Sequence, residues 1–130
     1  MNMADITEAY TARKEVLRCE GVLKTVINRG SSVYGLSDTN IPAKRKAIAE
    51  HLDRIEELQK KIDEKQAIVD RVRLWAMTRN DSDIMNIVER RVQRLEEWTQ
   101  ISREVLGSEV GNTSQVRLRR FMADENPGTE

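Results

Sequence analysis

The 130-residue sequence has few of the residue types that build metal sites and disulfides. It holds one cysteine, Cys19, and one histidine, His51. One cysteine cannot form a disulfide within the chain, and one cysteine with one histidine falls short of the ligands of a zinc site. We therefore expect no metal and no cofactor, a buried packing role for Cys19, and a surface or helix-packing role for His51.

Long apolar runs are also missing. No run approaches the roughly 20 residues that a membrane-crossing helix needs. The polar first ten residues, MNMADITEAY, lack the basic and apolar regions of a signal peptide. These absences predict a cytoplasmic protein with no membrane partner.

Catalytic motifs are missing as well. No glycine-rich phosphate loop follows a strand pattern, and no Ser/His/Asp or Cys/His set can be assembled. The acidic pairs Glu56/Glu57 and Glu96/Glu97 are neighbours in sequence, so on a helix their side chains point in different directions. We expect that the protein is not an enzyme.

The charge balance is even overall but uneven along the chain. Residues 1–70 carry 12 basic and 12 acidic side chains, whereas residues 71–123 carry ten arginines, no lysine and seven acids. Arginine suits phosphate because its planar guanidinium makes two parallel hydrogen bonds and stays charged. Arginine also forms ion pairs on helix surfaces, so composition leaves both interpretations open.

The first 80 residues read as a helical hairpin. Apolar positions at helical intervals predict a first helix over residues 4–28, and the Gly- and Pro-containing stretch 29–42 predicts a turn. Thr39 or Asn40 can cap a second helix that starts near Pro42 and runs to about residue 78. Its apolar residues recur every seven positions, which is typical of a short coiled coil: Ile48, Ile55, Ile62, Val69 and Ala76.

The partner of this seven-residue repeat is either the first helix or the same helix of a second chain. Leu52 and Leu58 widen the apolar edge, while Gly21 interrupts the first helix. The edge exceeds what that helix can cover, so we predict a homodimer through residues 44–76.

Residues 81–123 predict three shorter helices. Asp81 or Ser82 can cap the first, whose apolar side carries Ile84, Ile87, Val88, Val92 and Leu95. A helix over residues 99–106 should end at Gly107, and Thr113 should start the last helix with Val116, Leu118 or Phe121 facing inward. The predicted fold is therefore all-α, with a hairpin or coiled coil (1–80), a C-terminal helix-turn-helix (81–123) and a disordered acidic tail (124–130).

The last predicted helix concentrates side chains that suit DNA. Arg117 and Arg120 lie three residues apart and so share one face, and Gln115 can join them. Arginine reads guanine edges and glutamine pairs with adenine in the major groove. Neutralisation of backbone phosphates alone would also explain the arginines.

With its two segments DIMNIVERRVQRLEEWTQISREVL and TSQVRLRRFM, the sequence resembles the RinA/ArpU-type phage transcriptional regulators over about residues 59–122. The C-terminal unit of that family is similar to region 4 of bacterial sigma factors, and Trp98 and Ile101 match its packing residues. The resemblance implies a promoter-binding protein that helps RNA polymerase to express late genes of a phage or prophage. The turn GSEVGN is longer than the tight turn of the family. The predicted DNA-binding residues are Ser114, Gln115, Arg117, Arg119 and Arg120.

Two other functions fit the same pattern. A phage small terminase subunit also joins a helix-turn-helix to helical oligomerisation segments, although its DNA-binding unit usually comes first. A helical interaction protein would use the arginines only for surface ion pairs. Trp75 and Trp98 do not discriminate between these functions, because packing is the expected role of both.

Overall fold

The computed structural model describes residues 1–34 and 41–125, which are helical with short connections. Within these residues there is no β-strand, so the predicted all-α class is confirmed. The elements in chain order are α1 (Met3–Tyr34), α2 (Ile41–Met77), α3 (Ser82–Val88), a π-helical turn (Glu89–Gln93), α4 (Trp98–Leu106) and α5 (Thr113–Glu125).

The chain divides into two compact units, one of Met1–Lys14 with Gln66–Glu130 and one of Glu15–Lys65. In the first unit, Ile6 near the start of α1 shares a buried cluster with Ala76 near the end of α2. In the second unit, Val16 and Cys19 of α1 pack with Ile62 of α2. Both pairings are antiparallel, so the predicted helical hairpin is confirmed, and Cys19 is a buried packing residue as expected.

The first helix is longer than predicted, because α1 continues to Tyr34 instead of ending near residue 28. Gly30, expected to start the turn, is a buried helical residue. A β-carbon on Gly30 would lie 2.6 Å from Nε2 of His51, so the missing side chain allows a close approach to α2. The predicted caps Thr39 and Asn40 lie outside the described residues. Pro42 is the second residue of α2, in the first turn, as predicted.

Part of the seven-residue repeat of α2 is covered within the chain. Leu58, Ile62 and Val69 are buried, whereas Leu52 keeps 51% of its surface exposed. An intramolecular partner therefore accounts for the later part of the apolar edge. The homodimer stays a prediction.

The start of α3 forms as predicted. Oδ1 of Asp81 accepts hydrogen bonds from the backbone N–H groups of Asp83 (3.1 Å) and Ile84 (3.2 Å), which caps the helix. The buried side follows the predicted spacing of Ile84, Ile87, Val88 and Val92.

The end of this segment differs from the prediction. Leu95 was expected on the same apolar helix face, but the helix ends in a π-turn at Gln93, and Leu95 has a left-handed backbone with φ 57°. The backbone N–H of Arg94 donates to the carbonyl of Glu89, five residues earlier, so the turn holds one residue more than an α-helical turn. The helical spacing therefore stops applying before Leu95.

The core of the first unit draws on all of its helices. Residues from the predicted DNA-binding segment, such as Ile101 and Leu118, share one buried cluster with Ile6 and Val69 from the hairpin. The predicted boundary at residue 80 stays a prediction, although it divides residues that share a core. At the other end, α5 runs through Asp124 and Glu125, which the sequence placed in a disordered tail, and Glu125 pairs with Arg79 at 3.0 Å.

Candidate nucleic-acid interface

Helices α4 and α5 form the predicted helix-turn-helix pair, joined by the six residues 107–112. Gly107 ends α4 in the left-handed conformation with φ 63°, as its glycine predicts. On α5, the buried residues Ser114, Leu118 and Met122 recur every four positions and define its inward face. The opposite face of α5 is therefore available to a partner.

A buried hydrogen-bond network fixes the start of α5 on α4. The Oγ atoms of Ser102 and Ser114 lie 2.8 Å apart, and the backbone N–H of Ser114 donates to Oγ of Ser102 at 3.0 Å. The hydroxyls of Ser102 and Ser114 also lie 2.8 and 3.1 Å from the carbonyl oxygen of Trp98. Both serines are fully buried, and their polar groups are satisfied inside the pair.

This network changes the role of one predicted DNA-binding residue. Ser114 faces α4, so it does not reach the exposed surface while the two helices are packed. The spacing of four that links Ser114 to Leu118 and Met122 carries this information in the sequence. The sequence interpretation instead placed Ser114 beside Gln115 near the start of the recognition helix.

The predicted arginines of α5 are exposed, but they do not form one patch. Arg120 lies about 60° around the helix from Arg117, whereas Arg119 lies about 160° from it. Gln115 is half-buried beside the inward face. Arg117 and Arg120 border one open cleft, whose other lining residues are Asp81, Asn112, Thr113, Val116, Phe121 and Asp124.

Six of the ten arginines in residues 71–123 make contacts within the protein. Arg73 pairs with Glu89 at 2.7 Å, and the pKa of Arg73 is raised, chiefly by this hydrogen bond. Arg90 pairs with Glu96 at 3.2 Å and also with Glu104. The other contacting arginines are Arg79, Arg91, Arg94 and Arg117. Ion pairs therefore account for five of these ten arginines, and Arg91 donates to a backbone carbonyl.

Five arginines of this segment have no ion pair within residues 1–34 and 41–125. Arg91 donates to the backbone carbonyl of Glu96 instead, and the other four are Arg71, Arg103, Arg119 and Arg120. Arg103 lies on the exposed side of α4, and the sequence analysis did not single it out. Arg119 and Arg120 belong to α5. The exposed and unpaired positive charge of the helix-turn-helix therefore lies at Arg103, Arg119 and Arg120.

The aromatic residues of the unit serve packing. Trp98 is partly buried against the core, and the Arg91 guanidinium carbon lies 4.7 Å from its ring centre and 3.8 Å from that of Tyr10. Trp75 meets Phe121 edge to face, with ring centres 6.0 Å apart. Both tryptophans thus have the packing role expected from the sequence.

Comparisons of the chain with protein-family models, with curated proteins and with solved structures found no match. In the part of the chain that the structure describes, no helix is long and apolar enough to cross a membrane. The same residues contain no group of three or more His, Cys, Asp or Glu side chains placed to hold a metal ion.

Proposed function

We propose that this protein binds duplex DNA through α4 and α5 and acts as a transcriptional regulator in the cytoplasm, without catalytic activity. The observation that carries the proposal is the pair Arg119 and Arg120. Both side chains are exposed and unpaired among the described residues, on a helix whose opposite face is fixed to the core. Exposed arginines held on a rigid helix are suited to contact phosphates and base edges.

The packing of α5 supports a docking role. Leu118 is fully buried, and the serine network holds the N-terminal turn of α5 against α4. Helix-turn-helix proteins need this rigidity because the N-terminal part of the second helix must enter the major groove at a fixed angle. In this protein, Arg120 lies on the outward face, so Arg120 is the side chain we assign to a base edge. Gln115 is half-buried beside the inward face, about 140° around the helix from Arg120.

The other exposed cations suit the DNA backbone. Arg119 and Arg103 lack an ion pair in the described part of the chain, and arginines beside a groove-binding helix position a protein through phosphate contacts. The resemblance of the sequence to the RinA/ArpU-type regulators adds phage or prophage late genes as the target and RNA polymerase as a partner.

A second copy is part of the proposal. Leu52 is half exposed on α2, and Ile48 and Ile55 of the same repeat are only partly buried. One helix-turn-helix covers a short run of duplex, so a pair of them gains affinity and specificity. Light scattering should give twice the chain mass of 15.0 kDa, and a mass of one chain would remove the dimer from the proposal.

One observation favours a helical interaction protein as a second candidate. Leu74 and Met77 each keep 61% of their surface exposed on α2, outside the helices that we assign to DNA. The arginines that form ion pairs within the protein also fit an interaction protein, in which arginines serve the helix surface. A small terminase subunit would share duplex binding, and the position of the helix-turn-helix after the hairpin favours the regulator.

Titration of labelled duplex DNA separates these candidates. Replacing Arg119 and Arg120 together by Ala should weaken binding at least tenfold, a change of about 1.4 kcal/mol, with helicity unchanged. The matched control is Arg45→Ala with Lys46→Ala, which removes the same charge from exposed positions near the start of α2. Equal weakening by both pairs would show a general charge effect, and no binding by the wild-type protein would favour the interaction protein.

A further inference from the structure

Arg117 differs from its neighbours because carboxylates already surround its guanidinium. Its Nη2 atom lies 3.5 Å from Oδ2 of Asp81 and 3.5 Å from Oδ2 of Asp83. Both acids belong to the start of α3, more than 30 residues earlier in the chain. Arg119 and Arg120 have no such partner among the described residues.

The two oxygens of Asp81 have separate tasks. Oδ1 caps α3 by accepting the N–H groups of Asp83 and Ile84, while Oδ2 faces Arg117. An asparagine at this position would keep the capping oxygen and remove the charge, since Asn caps a helix about as well as Asp. The negative charge that faces Arg117 can therefore be removed while the cap of α3 is kept.

The contact is open to solvent. The side chains of Arg117 and Asp83 each keep 44% of their surface exposed, and that of Asp81 keeps 28%. Exposed ion pairs of this kind contribute little free energy, and salt screens them further. An incoming anion can thus replace either carboxylate without leaving a buried charge behind.

We propose that Asp81 and Asp83 mask Arg117 and that duplex binding exchanges these carboxylates for a backbone phosphate, so that the start of α3 sets the DNA affinity. This inference rests on the proposed function, since it concerns the same surface. It assigns Arg117 to phosphate rather than to a base edge, because Arg117 lies on the flank of α5 that faces α3. The acids then act as intramolecular competitors of DNA.

The charges that line the cleft beside α5 agree with this masking, because they sum to zero. Arg117 and Arg120 contribute two positive charges to its lining, and Asp81 and Asp124 contribute two negative charges. A cleft of this composition attracts a polyanion weakly until the carboxylates are displaced or neutralised. Removal of one carboxylate should therefore increase affinity, whereas loss of a purely structural tie would leave affinity unchanged or lower.

The experiment compares Asp81→Asn and Asp83→Asn in the full chain, each with Arg117 present and with Arg117→Ala. Binding is measured by titration of two duplexes of different sequence at one salt concentration, because a phosphate contact does not depend on sequence. Glu109→Gln is the matched control, since Glu109 is an exposed acid in the α4–α5 turn with no ion pair in the described residues. Circular dichroism verifies that each variant is folded.

We expect each Asp→Asn variant to bind both duplexes roughly two- to fivefold more tightly than Glu109→Gln does, in line with the strength of exposed ion pairs. The gain should disappear when Arg117 is replaced by Ala. An equal gain without Arg117, or no gain in a folded variant, would overturn the masking while leaving DNA binding in place. Absence of binding by the wild-type protein and by every variant would overturn both proposals.

A second comparison leaves α3 unchanged. Because Arg117 must give up its carboxylates on binding, Arg117→Ala should weaken the binding of both duplexes less than Arg120→Ala does. A larger loss from Arg117→Ala than from Arg120→Ala would also overturn the masking.

Discussion

Replacement of Ser102 by Ala tests whether the buried serine network holds the helix-turn-helix together. Oγ of Ser102 accepts the backbone N–H of Ser114 at 3.0 Å and lies 3.2 Å from the carbonyl oxygen of Gly111. In the Ala variant the N–H of Ser114 loses this acceptor in a position that water does not reach. An unsatisfied buried donor costs about 1 to 3 kcal/mol.

One effect opposes this loss. Alanine favours the helix over serine by a few tenths of a kcal/mol, so the free energy of unfolding should fall by about 1 to 2.5 kcal/mol. For a chain of this size, that corresponds to a decrease in Tm of roughly 3 to 10 °C. Thermal unfolding followed by far-ultraviolet circular dichroism measures the change directly.

The matched control is Ser108→Ala in the same turn. Oγ of Ser108 accepts the backbone N–H of Val110 at 3.1 Å, but this bond is exposed, so water can replace the lost acceptor. We expect a loss below about 1 kcal/mol. Equal losses for the two variants would refute the reasoning, because burial of the Ser102 network would then contribute nothing to stability.

Two further predictions concern the hairpin. Gly21→Ala has no atom within 4 Å of its new β-carbon and should stabilise α1 by about 0.5 to 1 kcal/mol, whereas Gly30→Ala should stabilise it less, because its β-carbon would lie 2.6 Å from Nε2 of His51 and the ring must move; equal shifts in two thermal melts would contradict the close approach. Hydrogen bonds from Arg18 (2.5 Å) and Lys61 (2.9 Å) lower the pKa of Glu15, so the stability that they add is present above the ordinary glutamate pKa of about 4.3 and is lost as the pH falls towards the lower folded value. Glu15→Gln should remove this part of the acid sensitivity, and melts of both proteins between neutral and acidic pH would show the wild type converging on the variant.

Features set by local chemistry could be predicted from the sequence. Asp81 and Gly107 cap their helices where the residue types indicate, and Pro42 lies in the first turn of α2. Each of these signals depends on a few neighbouring residues. The inward side of α5 follows in the same way from the spacing of its apolar residues, with Leu118 fully buried.

Features set by distant contacts could not be predicted. Gly30 reads as a turn residue until its approach to His51 is known, and the π-turn that displaces Leu95 has no signature in the apolar spacing. A seven-residue repeat also does not distinguish a partner in the same chain from one in a second chain, so the burial of Ile62 and Val69 within the chain could not be predicted from it. Hydrophobic periodicity gives the face of a helix but not what covers it.

The candidate site also combines features that the local sequence predicts with features that depend on distant contacts. The exposed arginines of α5 were predicted, since Arg119 and Arg120 stand outside the inward spacing. The burial of Ser114 by Ser102 and the pairing of Arg117 with Asp83 depend on how α3, α4 and α5 pack together. The charged helix can therefore be predicted from the sequence, whereas the packing of α3, α4 and α5 determines which of its side chains lack an ion pair.

The most direct test of DNA binding through α5 is a titration with duplex DNA followed by NMR of the arginine Nε–Hε groups. We predict that the signals of Arg119 and Arg120 shift as the duplex is added, while those of Arg73 and Arg90, held by Glu89 and Glu96, change little. Arginine side chains that bind phosphate or base edges exchange water for a fixed acceptor, which these signals report. Binding that leaves Arg119 and Arg120 unchanged, or no binding at all, would contradict the account.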